Sequence, residues 1–462
     1  MSRATSTCQY RGVTPPCDKD APRASARISW PVMVPLLVGI LAQSLAVSMI
    51  NTALPKLAHD LGIAPADQSW VVNIYPLAVG AAIVPAARWG DRSGRRRALV
   101  AGMTVFALLS AVAPVLPAPG LLAARLGLGI AGALILANVV STIGAVFKGH
   151  ARTMANGLWV AVFGAANTIG PLVGGYLTDH WGWQWVFWIC VPIAAIGALL
   201  TRATVPNTRA SVRPAWHPGW VMVAALGLGV TVYGVQRLPF VPVVGAVVGL
   251  AGAVVLTVFL RAQRRLRDPL LRVDLFGDRG FSAAVATIVV SAGVTLGAIY
   301  LTSLHLQNDR GWSASATGLV LLWQAIATTI GGIVAPTLAR IDRRGLVLPA
   351  ALILQAAGLA WAARDPAAIG PALLLIGAGF GVIGTLGTTA LFVAAPADAV
   401  SQVGVVQEVA FALGSGLGIA VLAALAASSG YSGSLAAAAV GVTVTAVVVA
   451  QIGNPLAPVS ST

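Results

Sequence analysis

The chain has 462 residues, of which 57% are hydrophobic and only 9% charged, with a net charge of +15. That balance excludes a soluble globular domain and a disordered chain, and reads as a polytopic membrane protein. The three cysteines, Cys8, Cys17 and Cys190, form neither a disulfide framework nor a metal-ligand spacing.

Taken in chain order, residues 1–29 are polar and basic and lack the apolar core of a signal peptide, so they read as a cytoplasmic disordered tail. Apolar runs of about 20 residues, enough to cross a bilayer, then follow. They lie at 30–54, 69–87, 98–116, 120–146, 154–178, 183–201, 219–236, 240–260, 281–304, 316–339, 346–363, 369–391, 404–427 and 434–452, fourteen in all. With both termini cytoplasmic, 24 of the 29 Lys and Arg residues fall on the inner side and only Lys56, Arg237, Arg310 and Arg364 on the outer. The asymmetry obeys the positive-inside rule, so the positive charge is topological and implies no nucleic-acid partner.

Between the second and third runs stands Arg88-Trp89-Gly90-Asp91-Arg92-Ser93-Gly94-Arg95-Arg96-Arg97, a Gly-broken loop with five arginines and one acid. It has a second copy. Pro85 precedes Asp91-Arg92-Ser93-Gly94 by six residues, as Pro336 precedes Asp342-Arg343-Arg344-Gly345. A Gly-x-Gly-x-x-Gly pattern is also duplicated, at Gly127/Gly129/Gly132 and Gly379/Gly381/Gly384. It sits in mid-membrane helical sequence, so close helix packing is the reading and a dinucleotide fingerprint is not. The duplications divide the chain into halves at 30–201 and 281–452, the repeat architecture of a secondary transporter with its site at the interface. Linkers at 202–218 and 261–280 bracket a two-helix insertion, 219–260, and a short tail covers 453–462.

Arg125 is the only base inside a span. A central arginine costs about 2.5–3.5 kcal/mol on insertion scales, so it must face protein or water and find a partner, or snorkel to the outer face. In the fifth span Gly157, Ala166, Gly170-Pro171 and Gly174-Gly175 give a kink and a smooth face for a neighbouring helix. Glu408, the only glutamate, lies near the inner start of the thirteenth span. A partly buried carboxyl there suits a proton carrier, or else snorkels to the interface. Asn51, Asn73, Tyr75, Asn138, Asn167, Trp323 and Gln324 are polar or aromatic candidates for a substrate cavity, each also able to act as helix–helix glue. No nucleotide-binding lysine loop, His-Glu-x-x-His spacing or Ser/His/Asp set occurs, so no enzymatic chemistry, metal or cofactor is implied and energy must come from a gradient.

The Asp-Arg-x-Gly-Arg-Arg pattern, with the repeat, resembles the loop between helices two and three of the major facilitator superfamily. The 6+2+6 plan and the spacing from Gly157 to Gly175 resemble its fourteen-helix drug:proton antiporter branch, Ala166 replacing one glycine. Trp183-Gln184-Trp185-Val186-Phe187-Trp188 is similar to that branch's entry to helix six. The resemblance implies an all-α fold of two pseudo-symmetric six-helix halves with two extra central helices. It implies that Asp91 caps a helix of the opposite half and pairs with arginines, and that Asp91, Arg92, Gly94, Arg95, Asp342, Arg343 and Gly345 act in gating. It also links Arg125 and Glu408 to proton coupling. Leu128 stands where a glutamine often follows the arginine, and Ala46 where helix one usually carries an acid. The expectation is a monomeric inner-membrane exporter of small amphipathic molecules in exchange for protons. The rivals are a dedicated exporter of an endogenous metabolite or antibiotic, and a non-transporting sensor or scaffold.

Overall fold

The computed structural model describes residues 28–209, 218–238, 240–266, 269–270, 272–341, 345–365, 368–394 and 400–452. Backbone polar groups cannot be left unpaired in lipid, so apolar runs of this length fold as helices that satisfy their own hydrogen bonds. The first half comprises α1 (Trp30–Ser48), α2 (Ile50–Asp60), α3 (Pro65–Ser93), α4 (Arg95–Val112), α5 (Ala118–Val146), α6 (Gly149–His180), α7 (Trp185–Trp188) and α8 (Cys190–Thr204). A hairpin follows, α9 (Pro218–Arg237) and α10 (Pro242–Gln263). The second half is α11 (Arg279–Leu304), α12 (Ala314–Ile341), α13 (Val347–Arg364), α14 (Ile369–Ala394) and α15 (Val400–Ile452).

The first span is α1 continued by α2, and the sixth is α7 continued by α8. Thirteen helices are long and apolar enough to cross a membrane. The last one is two: 53 residues of α15 exceed any bilayer, and Gly430, at φ +69°, breaks it into a thirteenth and a fourteenth span. The arginine segment differs from the expected loop. α3 stays helical through Ser93, and only Gly94, at φ +109°, separates it from α4. Asp91 and Arg95, on either side of the glycine, pair across it at 2.9 Å. A Cβ on Gly94 would also strike the Asn207 side chain, so this turn admits no larger residue. Gly345, its counterpart in the second copy, has φ +71°.

The duplicated glycines pack helices closely. Gly129 and Gly132 of α5 lie on Tyr75 of α3, while Gly379 and Gly381 of α14 lie on Ala351 and Thr328. The α9–α10 hairpin rests along both α3 and α15, one helix from each half. Arg237 pins it to the start of α3 through Asp67 at 2.6 Å, and Tyr233 meets Trp70 with ring centroids 6.0 Å apart. Below, the "arginine-rich face" is the end of the bundle carrying Gly94. The "opposite face" carries residues 61–64, 181–184, 310–313 and Gly430.

Candidate functional site

The two halves meet most tightly toward the opposite face. Small residues at that end of α6 let backbones touch, first within its own half: Gly174 lies against Met49 (a Cβ would sit 2.7 Å from its carbonyl oxygen), and Gly170 against Ser48. One residue on, Gly175 faces the backbone of Ala314 and Ser315 in α12, and Gly318 of α12 faces the Pro171 carbonyl. Buried Ala166 accepts a hydrogen bond at its carbonyl from Ser48 Oγ at 3.3 Å. The stretch from Ala166 to Gly175 is thus a seam joining α6 to α1 and α12. Gly157 lies outside it, with open space where a Cβ would be.

Polar ties reinforce the seam. Asp179, near the end of α6, accepts from the α12 backbone N–H groups of Ala314 at 3.1 Å and Ser315 at 2.7 Å. The negative charge therefore caps the positive end of a helix from the other half. Ser303 Oγ donates to Asn51 O at 2.6 Å and Gln307 Nε2 to Thr52 O at 3.1 Å. Asn73, fully buried, donates through Nδ2 to Gly416 O at 3.2 Å, linking α3 to α15. Asp179 and Gln307 carry no motif. Their signal was an acid closing a Gly-rich helix and a Ser-x-Ser start to the next half's helix, Ser313 to Ser315.

At the arginine-rich face, Asp91 Oδ1 accepts from Arg95 Nη2 at 2.9 Å and Nε at 3.2 Å, and Arg95 Nη1 donates to Ser141 O at 2.9 Å. These contacts stay within the first half. Arg88 Nη2 reaches Pro269 O in the linker at 3.3 Å. Asp342 and Arg343 lie outside the described residues. In the same linker, the Arg272 guanidinium beside Asp274 holds its carboxyl below the usual carboxylate range.

Arg125 is buried, 1% exposed, so it does not snorkel. Its Nε donates to Val71 O at 2.9 Å and its Nη1 to Ala46 O at 3.3 Å, and its guanidinium lies 5.2 Å from the Tyr75 ring centroid. Carbonyls and an aromatic face thus hold the arginine, with no carboxylate paired to it among the described residues. Tyr75 Oη is buried without a partner, between Gly132 and Gln43.

Glu408 is half-buried on α15, with neither an ion pair nor a hydrogen bond among the described residues. It lies one turn from Ala412, which packs on Gly80 of α3. Counting along α3, Val71 and the level of Glu408 are separated by some thirteen residues, about 20 Å at 1.5 Å per residue. The two expected coupling residues are therefore not neighbours.

The other candidates scatter. Asn138 donates to Ala86 O and Leu134 O, Asn167 to Phe163 O, and Gln324 to Thr328 Oγ1. Trp323 is 50% exposed beside Gly370. A polar cluster not singled out in the sequence is Gln355, fully buried, bonded to Ser291 and Thr295 of α11.

Comparison with known proteins places this geometry. The multidrug efflux pump LfrA of Mycolicibacterium smegmatis is 29% identical over 403 residues, covering 85% of this chain and 80% of that protein. The methyl viologen resistance protein SmvA of Salmonella typhimurium is 29% identical over 415 residues, covering 87% and 83%. The tetracenomycin C resistance and export protein of Streptomyces glaucescens is 28% identical over 423 residues, covering 86% and 76%. A crystal structure of the peptide transporter POT with sulfate superposes with a TM-score of 0.68 at 15% identity, covering 93% of this chain and 96% of that one. With the family match running over residues 36–419, the chain belongs to the Major Facilitator Superfamily.

Proposed function

We propose that the protein exports small amphipathic, drug-like molecules across a bacterial cytoplasmic membrane by alternating access, in exchange for protons. The observation that carries this reading is the one-sided seam. Among the described residues, ties between halves cluster toward the opposite face, while Asp91 is folded back onto Arg95 of its own half. Such a bundle is closed at one end, as one state of a rocker must be. The arginine-rich face is assigned to the cytoplasm by its charge, so the seam lies on the outer side. Glu408, the only acid of α15, is the proposed proton carrier. Arg125 holds α1, α3 and α5 together and acts as a positioning residue.

Ala46 and the carbonyl-bound Arg125 favour a second reading of the cargo. The first half offers no membrane-embedded acid to a dication, so a dedicated exporter of a neutral or weakly charged natural product fits this interior, as the tetracenomycin relative's name suggests for that protein. Purified protein in vesicles loaded with a pH dye tests the main proposal. Substrate addition should drive proton movement in wild type, and Glu408→Gln should reduce it at least tenfold while substrate binding persists. Equal flux in Glu408→Gln would refute the carrier assignment, and a resistance panel of dications beside neutral polyketides would separate the cargo readings.

A further inference from the structure

α10 is the least buried of the spans and packs chiefly on α9. Its exposed side chains Val243, Val247, Leu250, Val254 and Val258 recur every three or four residues. At 100° per residue they share one arc of about 80° on the outward side of the helix. Arg261 falls within the same arc, one turn nearer the arginine-rich face. Arg264 and Arg265 follow in the closing turn, where Arg265 N bonds Ala262 O at 3.0 Å. All three arginines are exposed. None makes a hydrogen bond or ion pair among the described residues, whereas Arg88, Arg95 and Arg272 at this face are taken up by Pro269 O, Asp91 and Asp274.

We propose that the arginine end of α10 binds the phosphate of an anionic phospholipid whose acyl chains lie along the valine stripe. The dimensions fit. One leaflet supplies about 15 Å of hydrocarbon, half of the bilayer core, and Arg261 stands about 16 Å from Leu250 by helix rise. Guanidinium forks match phosphate oxygens, and several of them set directly beyond a span attract anionic headgroups. A zwitterionic headgroup brings its own cation and forfeits the net attraction. The positive-inside rule explains why charge lies on this side of the membrane. It does not explain why the charge continues the stripe that faces lipid.

The protein itself offers these arginines little counter-charge. The C-terminal end of a helix supplies only about half a negative charge. Residues 261–279 hold six arginines against three aspartates. Of those acids, Asp274 pairs with Arg272 and Asp278 caps α11 through Phe281 N. Placement gives the site a consequence. α9, on which α10 packs, rests on both α3 and α15, and the turn after α10 is fastened by Gln263 Oε1, which accepts from Leu270 N at 2.7 Å. A lipid held here therefore anchors an element that touches both halves. The proposal depends on neither cargo nor proton coupling.

Native mass spectrometry of the purified full-length protein, titrated with phosphatidylglycerol or phosphatidylcholine of the same acyl chains, tests it. Wild type should bind phosphatidylglycerol at least tenfold more tightly, and the preference should shrink as salt is raised from about 0.1 to about 0.5 M. Arg261→Gln, Arg264→Gln and Arg265→Gln combined should weaken phosphatidylglycerol binding at least tenfold and leave phosphatidylcholine binding unchanged. Lys148→Gln, Arg152→Gln and Arg202→Gln combined remove the same charge from other exposed positions and should weaken it less than about threefold. Equal binding of the two lipids by wild type, or equal losses in the two triple variants, overturns the proposal. Should the α10 variant not fold, hydrogen exchange of wild type in nanodiscs gives the answer. Amides from Phe259 to Leu266 should exchange at least threefold more slowly in phosphatidylglycerol than in phosphatidylcholine, with α13 as the unchanged reference. No difference between the two lipids overturns it equally.

Discussion

Asp179→Ala is the sharpest perturbation of the seam. In the sealed state the carboxylate accepts from two backbone N–H groups at the start of α12, at 3.1 and 2.7 Å. On the alternating-access proposal, opening the opposite face carries α12 away and returns the carboxylate to water, so the contact stabilises one state only. The residue is solvent-exposed, which screens the charge and places the contact with ordinary helix N-caps, whose loss to alanine costs about 1 kcal/mol. At 1.4 kcal/mol per factor of ten, the sealed-to-open ratio should fall about fivefold. Asp179→Asn keeps an acceptor oxygen without the charge and should lose about half of that energy. The assay is the distance distribution between spin labels at Ala64→Cys and Ser428→Cys, exposed positions on opposite halves, in lipid nanodiscs. An unchanged distribution in Asp179→Ala, with Tm preserved, refutes the idea that this cap joins the halves. A distribution that changes equally in 0.1 and 1 M salt for Asp179→Asn refutes its electrostatic part.

Replacing Gly318 by Ala or Gly175 by Val should be more severe, because each new carbon meets backbone that cannot yield, at Pro171 O and at Ala314 respectively. Both variants should fold, label readily with thiol reagents at Ser428→Cys and lose export, whereas Gly157→Ala, with open space around it, should export normally. Arg125→Leu removes two charge-assisted hydrogen bonds and should destabilise the protein by about 3 kcal/mol, read as a lowered Tm in detergent. Asp67→Asn breaks a partly exposed pair with Arg237, worth about 0–1 kcal/mol. Transport should stay within twofold, while hydrogen exchange at the start of α9 rises.

Much of the architecture was legible because the bilayer imposes it. Run lengths and the one-sided distribution of arginines give fourteen spans, and the Asp91–Gly94 spacing, repeated at 342–345, gives two halves. In the structure the glycines of both copies have positive φ, +109° at Gly94 and +71° at Gly345. The spacing from Ala166 to Gly175 likewise pointed to a close helix contact. Only the structure shows that this contact reaches two helices at once, α1 on one side and α12 on the other.

Partners were less legible than positions. Polar groups in a membrane span must find partners, but which ones depends on helices far away in sequence. Asn73 pairs 343 residues away with Gly416, and Asp179 pairs 135 residues away with Ala314. Arg125 shows the consequence. The resemblance links Arg125 and Glu408 each to proton coupling. In the fold the arginine donates to Ala46 O, at the position where the resemblance expects an acid, and the two lie about 20 Å apart by helix rise. Without that acid, the arginine can be satisfied only by carbonyls and a ring, groups that do not titrate near neutral pH. The proposed proton carrier, Glu408, stands apart from it, toward the arginine-rich face.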